Sequence, residues 1–222
     1  MSLDGTYIGL KASVADFLAR TDLTSTIPDF ITMAEAHMNR YLRVRRQVAL
    51  VTNLSISGEY TSLPADFLAE RTLTLQTDPA YDLKFETQDT LDEIARTQSL
   101  SYTATPRWYG VMGTKLRVRP VPDQTYTANL TYFQSLPALA TNGSNWLLTA
   151  YPDAYLYGAL TQSAPYLQDD ERLEVWGRLF KTALDTIQHA ERERVGKRLK
   201  TDRALSPMHY RNGLYNIVTD QF

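Results

Sequence analysis

Apolar residues recur every three or four positions near both ends of this chain and every second position between them. That switch of period constrains the fold more than any other feature. A stripe at helical spacing cannot lie on one face of a strand, and an alternating run cannot lie on one side of a helix. The chain therefore places helices at its two ends and sheet in its middle.

The first helix is expected over Tyr7 to Arg20, with Leu10, Val14, Phe17 and Leu18 on one face. Asp22 to Thr26 is a polar break rich in cap-forming residues. A second helix is expected from about Ile27 to Arg46, with Pro28 in its first turn, where a missing N–H costs little. Ile27, Phe30, Ile31, Ala34, Met38, Tyr41 and Leu42 form its apolar stripe. Arg40, Arg43, Arg45 and Arg46 gather at its C-terminal end, either complementing the helix dipole or offering a docking patch for an acidic partner.

Strand period then takes over. Gln47 to Ser57 is rich in valine, leucine and threonine, and Gly58-Glu59 offers a turn. Thr72 to Thr77 alternates until Asp78-Pro79 breaks it. Thr114 to Arg119 puts Leu116 and Val118 on one side and Lys115, Arg117 and Arg119 on the other. Tyr126, Ala128, Leu130 and Tyr132 alternate after a turn at Pro122-Asp123, so these two runs are expected to pair as a hairpin. A short helix, about Thr87 to Gln98, interrupts the sheet.

Helical spacing returns near Thr149, with Tyr155, Leu156, Ala159 and Leu160 as the stripe and Pro165 expected to end the helix. Asp169 and Asp170 suit the start of the next one. The last helix is expected from about Glu171 to Lys200, anchored by Leu173, Trp176, Phe180, Leu184 and Ile187. The predicted class is α+β: a helical bundle from the N- and C-terminal helices (about 7–46 and 149–200), a β-rich insertion (47–140, with its helix at about 87–98) and an extended C-terminal tail (201–222). All of it is expected to form one domain.

Charge and residue usage exclude several functions. The 23 basic and 25 acidic residues nearly balance, against a strongly basic nucleic-acid binder. The absence of cysteine removes disulfides, thiol nucleophiles and cysteine-ligated metals. No apolar run approaches the roughly 20 residues of a membrane helix, and Met1 to Gly5 does not resemble a signal peptide. His37, His189 and His209 are far apart, without zinc-ligand spacing. Gly110 to Gly113 lacks the lysine and following helix of a phosphate loop. The acidic pairs, Asp169-Asp170 and Asp89 with Asp92 and Glu93, sit where helix starts want them and read as caps rather than acid–base groups. Trp108 and Tyr109 could stack on bases but lack a basic groove. No enzyme activity, cofactor or metal is expected.

The tail is too apolar to be solvated. Met208, Tyr210, Leu214, Tyr215, Ile217 and Phe222 need a surface, either the chain's own body or a partner. The basic stretch before it, with Arg192, Arg194, Lys197 and Arg198, is a solvated helix end or a contact to phosphates or an acidic protein surface.

The order of several short motifs carries a resemblance. Met33-Ala34-Glu35-Ala36-His37-Met38-Asn39-Arg40-Tyr41-Leu42 closes the helix pair, and Gly58-Glu59-Tyr60 leads into Leu63-Pro64-Ala65-Asp66-Phe67. Thr105-Pro106-Arg107-Trp108-Tyr109, Arg119-Pro120-Val121-Pro122, Leu130-Thr131-Tyr132-Phe133, Asn145-Trp146-Leu147 and Tyr151-Pro152-Asp153-Ala154-Tyr155-Leu156-Tyr157-Gly158-Ala159-Leu160 follow. From about Phe17 to Ile187 this resembles the head–tail adaptor family of tailed bacteriophages, particularly the adaptor beneath the portal of short-tailed phages. The resemblance implies a virion protein at the head–tail junction, made in the host cytoplasm. It further implies a homo-oligomeric ring, commonly of twelve, docked on the portal protein. Tail or nozzle proteins would attach below, and double-stranded DNA would pass through the channel without sequence-specific binding. It also implies that the C-terminal segment reaches the portal, which makes the ten tail and pre-tail residues named above the candidate portal contacts. Another neck or tail-completion protein, or a cytoplasmic enzyme with an unrecognised site, are the alternatives.

Overall fold

A computed structural model describes residues 3–20, 22–99, 101–167 and 170–191. The helices are α1 (Tyr7–Leu18), α2 (Ile27–Tyr41), α3 (Gln88–Thr97), α4 (Leu139–Asn142), α5 (Trp146–Ala150), α6 (Pro152–Leu167) and α7 (Asp170–Ala190). The strands are β1 (Val48–Ile56), β2 (Tyr60–Ser62), β3 (Phe67–Leu75), β4 (Tyr81–Asp82), β5 (Lys84–Phe85), β6 (Trp108–Met112), β7 (Lys115–Arg119) and β8 (Tyr126–Gln134). The architecture is the α+β arrangement expected, with helices from both ends around a sheet-forming middle.

The helical lobe has one core. Leu10, Val14 and Leu18 from α1, Ile27, Phe30, Ile31, Ala34 and Met38 from α2, Tyr155, Ala159 and Leu160 from α6, and Trp176, Phe180, Leu184 and Ile187 from α7 are buried together. Each large apolar side chain here contributes about 1.5–3 kcal/mol by its burial. Gly158 sets the spacing of three helices: a Cβ there would lie 3.0 Å from Phe180 Cε2 and 3.1 Å from Ala34 Cβ. A residue without a side chain lets α6 approach α2 and α7 this closely without crowding Phe180 or Ala34. Local chemistry sets the ends. Thr6 Oγ1 accepts from Gly9 N–H at 3.0 Å at the start of α1, and Ala19 closes that helix in a left-handed conformation at φ 50°.

The β lobe has two four-stranded sheets, ordered β1-β8-β3-β4 and β2-β7-β6-β5. Leu73, Leu75, Ala128, Leu130 and Tyr132 of the first share a buried core with Tyr109, Leu116 and Val118 of the second. Helix α3 covers the second sheet through Leu91, which is fully buried. Gly110 in β6 permits this, because a Cβ there would stand 2.8 Å from both the Glu86 carbonyl oxygen and Leu91 Cδ1.

Several expectations are corrected. The hairpin of β7 with β8 does not form, since the two strands lie in different sheets. β7 instead folds back on β6, with Met112 opposite Lys115. Gly113 at φ 60° opens the two-residue turn between them, as a type II′ turn requires. Both β7 and β8 alternate, and alternation records a buried face without naming a neighbour. Helix α2 stops at Tyr41 rather than Arg46; Leu42 is extended and Arg45–Gln47 form a short 3₁₀ turn. Tyr41 and Phe17 are exposed at 40% and 36%, so each lies at the rim of its stripe. Pro165 lies inside α6 and does not end it. Its missing N–H forfeits one hydrogen bond close to the helix end. A separate short helix, α5, precedes α6 where one helix from about Thr149 was expected. Helix α7 ends at Ala190 with Glu191 just past it, and the rest of the predicted stretch, 192–200, lies outside the described residues.

Candidate functional site

The lobes are joined by two chain crossings, one leaving α2 for β1 and one returning from β8 to α4. Polar side chains organise both. On α2, Glu35 and Asn39 stand one turn apart and face the returning segment. Asn39 Oδ1 accepts from Leu136 N–H at 2.8 Å, and Glu35 Oε1 accepts from Leu139 N–H at 2.9 Å. Asn145 caps α5, its Oδ1 accepting from Leu148 N–H at 2.9 Å. Its amide donates to Pro137 O at 2.9 Å and to the Tyr155 hydroxyl at 2.6 Å. Tyr155 in turn donates to Glu35 Oε1 at 3.3 Å. The chain α5–α6–α2 is thus closed by one buried network in which the tyrosine oxygen both accepts and donates.

Glu35 is 7% exposed, and its hydrogen-bond partners are a neutral backbone N–H and a neutral hydroxyl. Burial pushes its carboxyl above the usual range, and the Leu139 N–H and Tyr155 hydroxyl pull it partly back. Burial likewise holds the Tyr155 hydroxyl protonated.

The other crossing is closed by the end of α7. Glu191 is buried, with Arg46 Nε at 3.2 Å from Oε1 and Arg45 Nη2 at 3.6 Å from Oε2. Tyr151 donates to Glu191 Oε1 at 3.3 Å, and Arg45 N–H donates to the Glu191 carbonyl at 3.2 Å. The arginines after α2 therefore have an intramolecular explanation. Arg43 Nη1 reaches back to the carbonyls of Asn39 and Leu42 at 2.7 and 2.6 Å, capping α2, while Arg45 and Arg46 face Glu191. The sequence places the basic cluster correctly, but its acid lies at the far end of the last helix.

A third cluster organises the β lobe. Arg117, on the strand face opposite Leu116 and Val118 as the alternation predicts, is 7% exposed. Its Nε donates to Glu59 Oε1 at 2.7 Å, and its Nη1 donates to Asp92 and, at 3.3 Å, to Gln88 Oε1. Arg119 Nη2 shares the Glu59 oxygen at 2.6 Å. Asp92 is therefore the acid that fastens α3 to β7, not a cap, and Arg117 holds its carboxyl below the ordinary range through their hydrogen bond. Asp89 does occupy the first turn of α3. His37 packs edge-on to Phe180 with ring centroids 5.2 Å apart. Among the described residues no group of three histidine or acidic side chains could hold a metal ion.

These clusters take in several of the motif residues. Glu35, Asn39, Asn145 and Tyr155 converge on one network, Glu59 and Arg119 on another, and Gly158 is the point of closest helix approach. The family model of the SU10 adaptor protein matches residues 5–204, which takes in every one of these positions. The chain belongs to the SU10 adaptor protein family. This SU10-family adaptor is a structural phage protein and a component of the virion. A comparison with curated proteins finds no match. No helix among the described residues is long and apolar enough to cross a membrane.

The adaptor's predicted partner-binding residues all lie outside the described residues. Arg192, Arg194, Lys197 and Arg198 fall within the family match, and Met208, Tyr210, Leu214, Tyr215, Ile217 and Phe222 fall beyond it. Sequence reasoning assigned no role to Glu35 or Asn39. Two polar residues four apart beside the buried stripe of α2 were the available signal.

Proposed function

We propose that this adaptor forms a ring below the portal, continues the DNA channel and presents the platform on which tail proteins assemble. The family match over residues 5–204 carries the reading. Two physical features support it. The formal net charge of −2 suits a channel wall past which DNA slides, since a densely basic lining would retain phosphates. The two-lobed body, locked by buried polar networks, suits a part that transmits load between partners.

On this reading Arg192, Arg194, Lys197 and Arg198 meet acidic or polar portal surface. Met208, Tyr210, Leu214, Tyr215, Ile217 and Phe222 bury themselves on the portal, and twelve copies complete the ring. Electron microscopy of the purified chain mixed with its portal tests this. A closed ring with density for the C-terminal residues on the portal is expected. Failure to form a ring on the portal sinks the reading. Deletion of Ala204 to Phe222 is expected to abolish docking while the monomer stays folded; unchanged docking removes the tail's role.

A further inference from the structure

A trough runs along the β lobe as three linked depressions of about 560, 290 and 520 Å³. Gln98, just past the end of α3, lines both the first and the second. Thr105 and Arg107 line both the second and the third. Three depressions in a row with shared walls suit a chain lying lengthwise rather than a compact small molecule.

Each part of the trough has unused binding capacity. In the middle, Tyr102, exposed at 47%, stands with Trp108 and Pro120, a wall of flat apolar surfaces. Aromatic-lined grooves of this kind receive prolines or rings from extended segments, because such residues lose little conformational entropy on docking. Beside it Gln98 Oε1 is buried without a hydrogen-bond partner. A buried acceptor left empty is costly, and it marks the wall between the first two depressions as imperfectly packed. At the far end Arg107 is exposed, and its guanidinium has no hydrogen bond or ion pair with a described residue. Of the two acids along the trough, Asp92 is paired with Arg117, while Asp82 Oδ1 accepts from the Thr74 hydroxyl at 2.6 Å and keeps its charge, so Arg96 and Arg107 leave the trough with a small positive excess. Arg96, near Asp92, adds positive charge at the α3 end.

We infer that this trough binds an extended, acidic segment of a partner protein, with a proline or aromatic residue seated among Tyr102, Trp108 and Pro120. A flanking carboxylate of the segment pairs with Arg107. None of the trough's residues is among the C-terminal residues assigned to the portal, and the site does not depend on ring formation.

The test is selection from a displayed random-peptide library on the immobilised full chain, counter-selected on the Tyr102→Ala variant. Enriched peptides are expected to carry a proline or aromatic residue flanked by Asp or Glu. Arg107→Glu should weaken the enriched peptide by at least about tenfold, since it sets like charges opposite each other. The thermal midpoint of that variant should not change, because the replaced side chain is exposed and unbonded. No enrichment over the counter-selected variant overturns the inference. So does a basic or charge-independent consensus, or unchanged affinity in Arg107→Glu. Displacement of the peptide by single-stranded oligothymidylate, with the same loss in Arg107→Glu, would assign the trough to nucleic acid instead.

Discussion

Glu35 of α2 accepts a hydrogen bond from the backbone N–H of Leu139 at 2.9 Å, across 104 positions of sequence. The bond fixes where the chain re-enters the helical lobe after the sheets. Glu35→Ala removes the acceptor of both Leu139 and Tyr155, and should cost about 1–3 kcal/mol in denaturant unfolding.

The same carboxylate gives a pH signature. Burial raises its folded pKa above its unfolded value, so the folded protein binds this proton more tightly. Its contribution to stability is therefore greatest below the unfolded value, which is about 4.3, and is lost as pH rises through the folded pKa. Glu35→Gln keeps an acceptor oxygen and has no proton to lose. The stability difference, Glu35→Gln minus the parent, should grow as pH rises from about 4.3 toward neutrality. Urea midpoints of both proteins across that range measure it, and a constant difference would refute the assignment.

A methyl group at Gly158 would crowd Phe180 Cε2 at 3.0 Å and Ala34 Cβ at 3.1 Å, and these two buried side chains must shift to admit it. Gly158→Ala should therefore destabilise by about 1–3 kcal/mol, although alanine is the better helix former. Pairing it with Phe180→Leu should recover part of that loss relative to the sum of the single changes, measured by a double-mutant cycle.

Glu59 joins Arg117 and Arg119 at the turn before β2. Glu59→Ala leaves the buried Arg117 with Asp92 and Gln88, both on its Nη1, and its Nε without an acceptor, and should cost about 1–3 kcal/mol. Hydrogen exchange should quicken in α3 and β7 before it changes in α6 or α7, because this cluster fastens α3 to the second sheet.

Glu191 ties the end of α7 to the segment leaving α2. Arg45 and Arg46 are substantially exposed, with side chains at 67% and 44%, so water screens the pairs. Glu191→Ala should have a modest global effect, about 1 kcal/mol or less. Faster amide exchange is expected over the last turn of α7, and an unchanged rate there would argue against the anchor.

What the sequence determined by itself was local. The three-and-four spacing of Leu10, Val14 and Leu18, and of Trp176, Phe180, Leu184 and Ile187, located helices and their buried faces. The alternation of Tyr126, Ala128, Leu130 and Tyr132 located a strand whose alternate side chains are all buried. These patterns are legible because burial periodicity depends on the geometry of one element.

The tertiary structure alone decided partnership. β7 and β8 carry the same alternation and adjoin in sequence, yet they belong to different sheets. The alternation places Arg117 opposite Leu116 and Val118, but only the fold shows that Glu59, Asp92 and α3 bury it. Glu35 and Leu139, like Arg46 and Glu191, are joined by contacts that no window of sequence contains. The physical reason is that a hydrogen bond or an ion pair is satisfied by whichever group the folded chain brings within reach, whereas an apolar stripe needs only to know its own helix or strand.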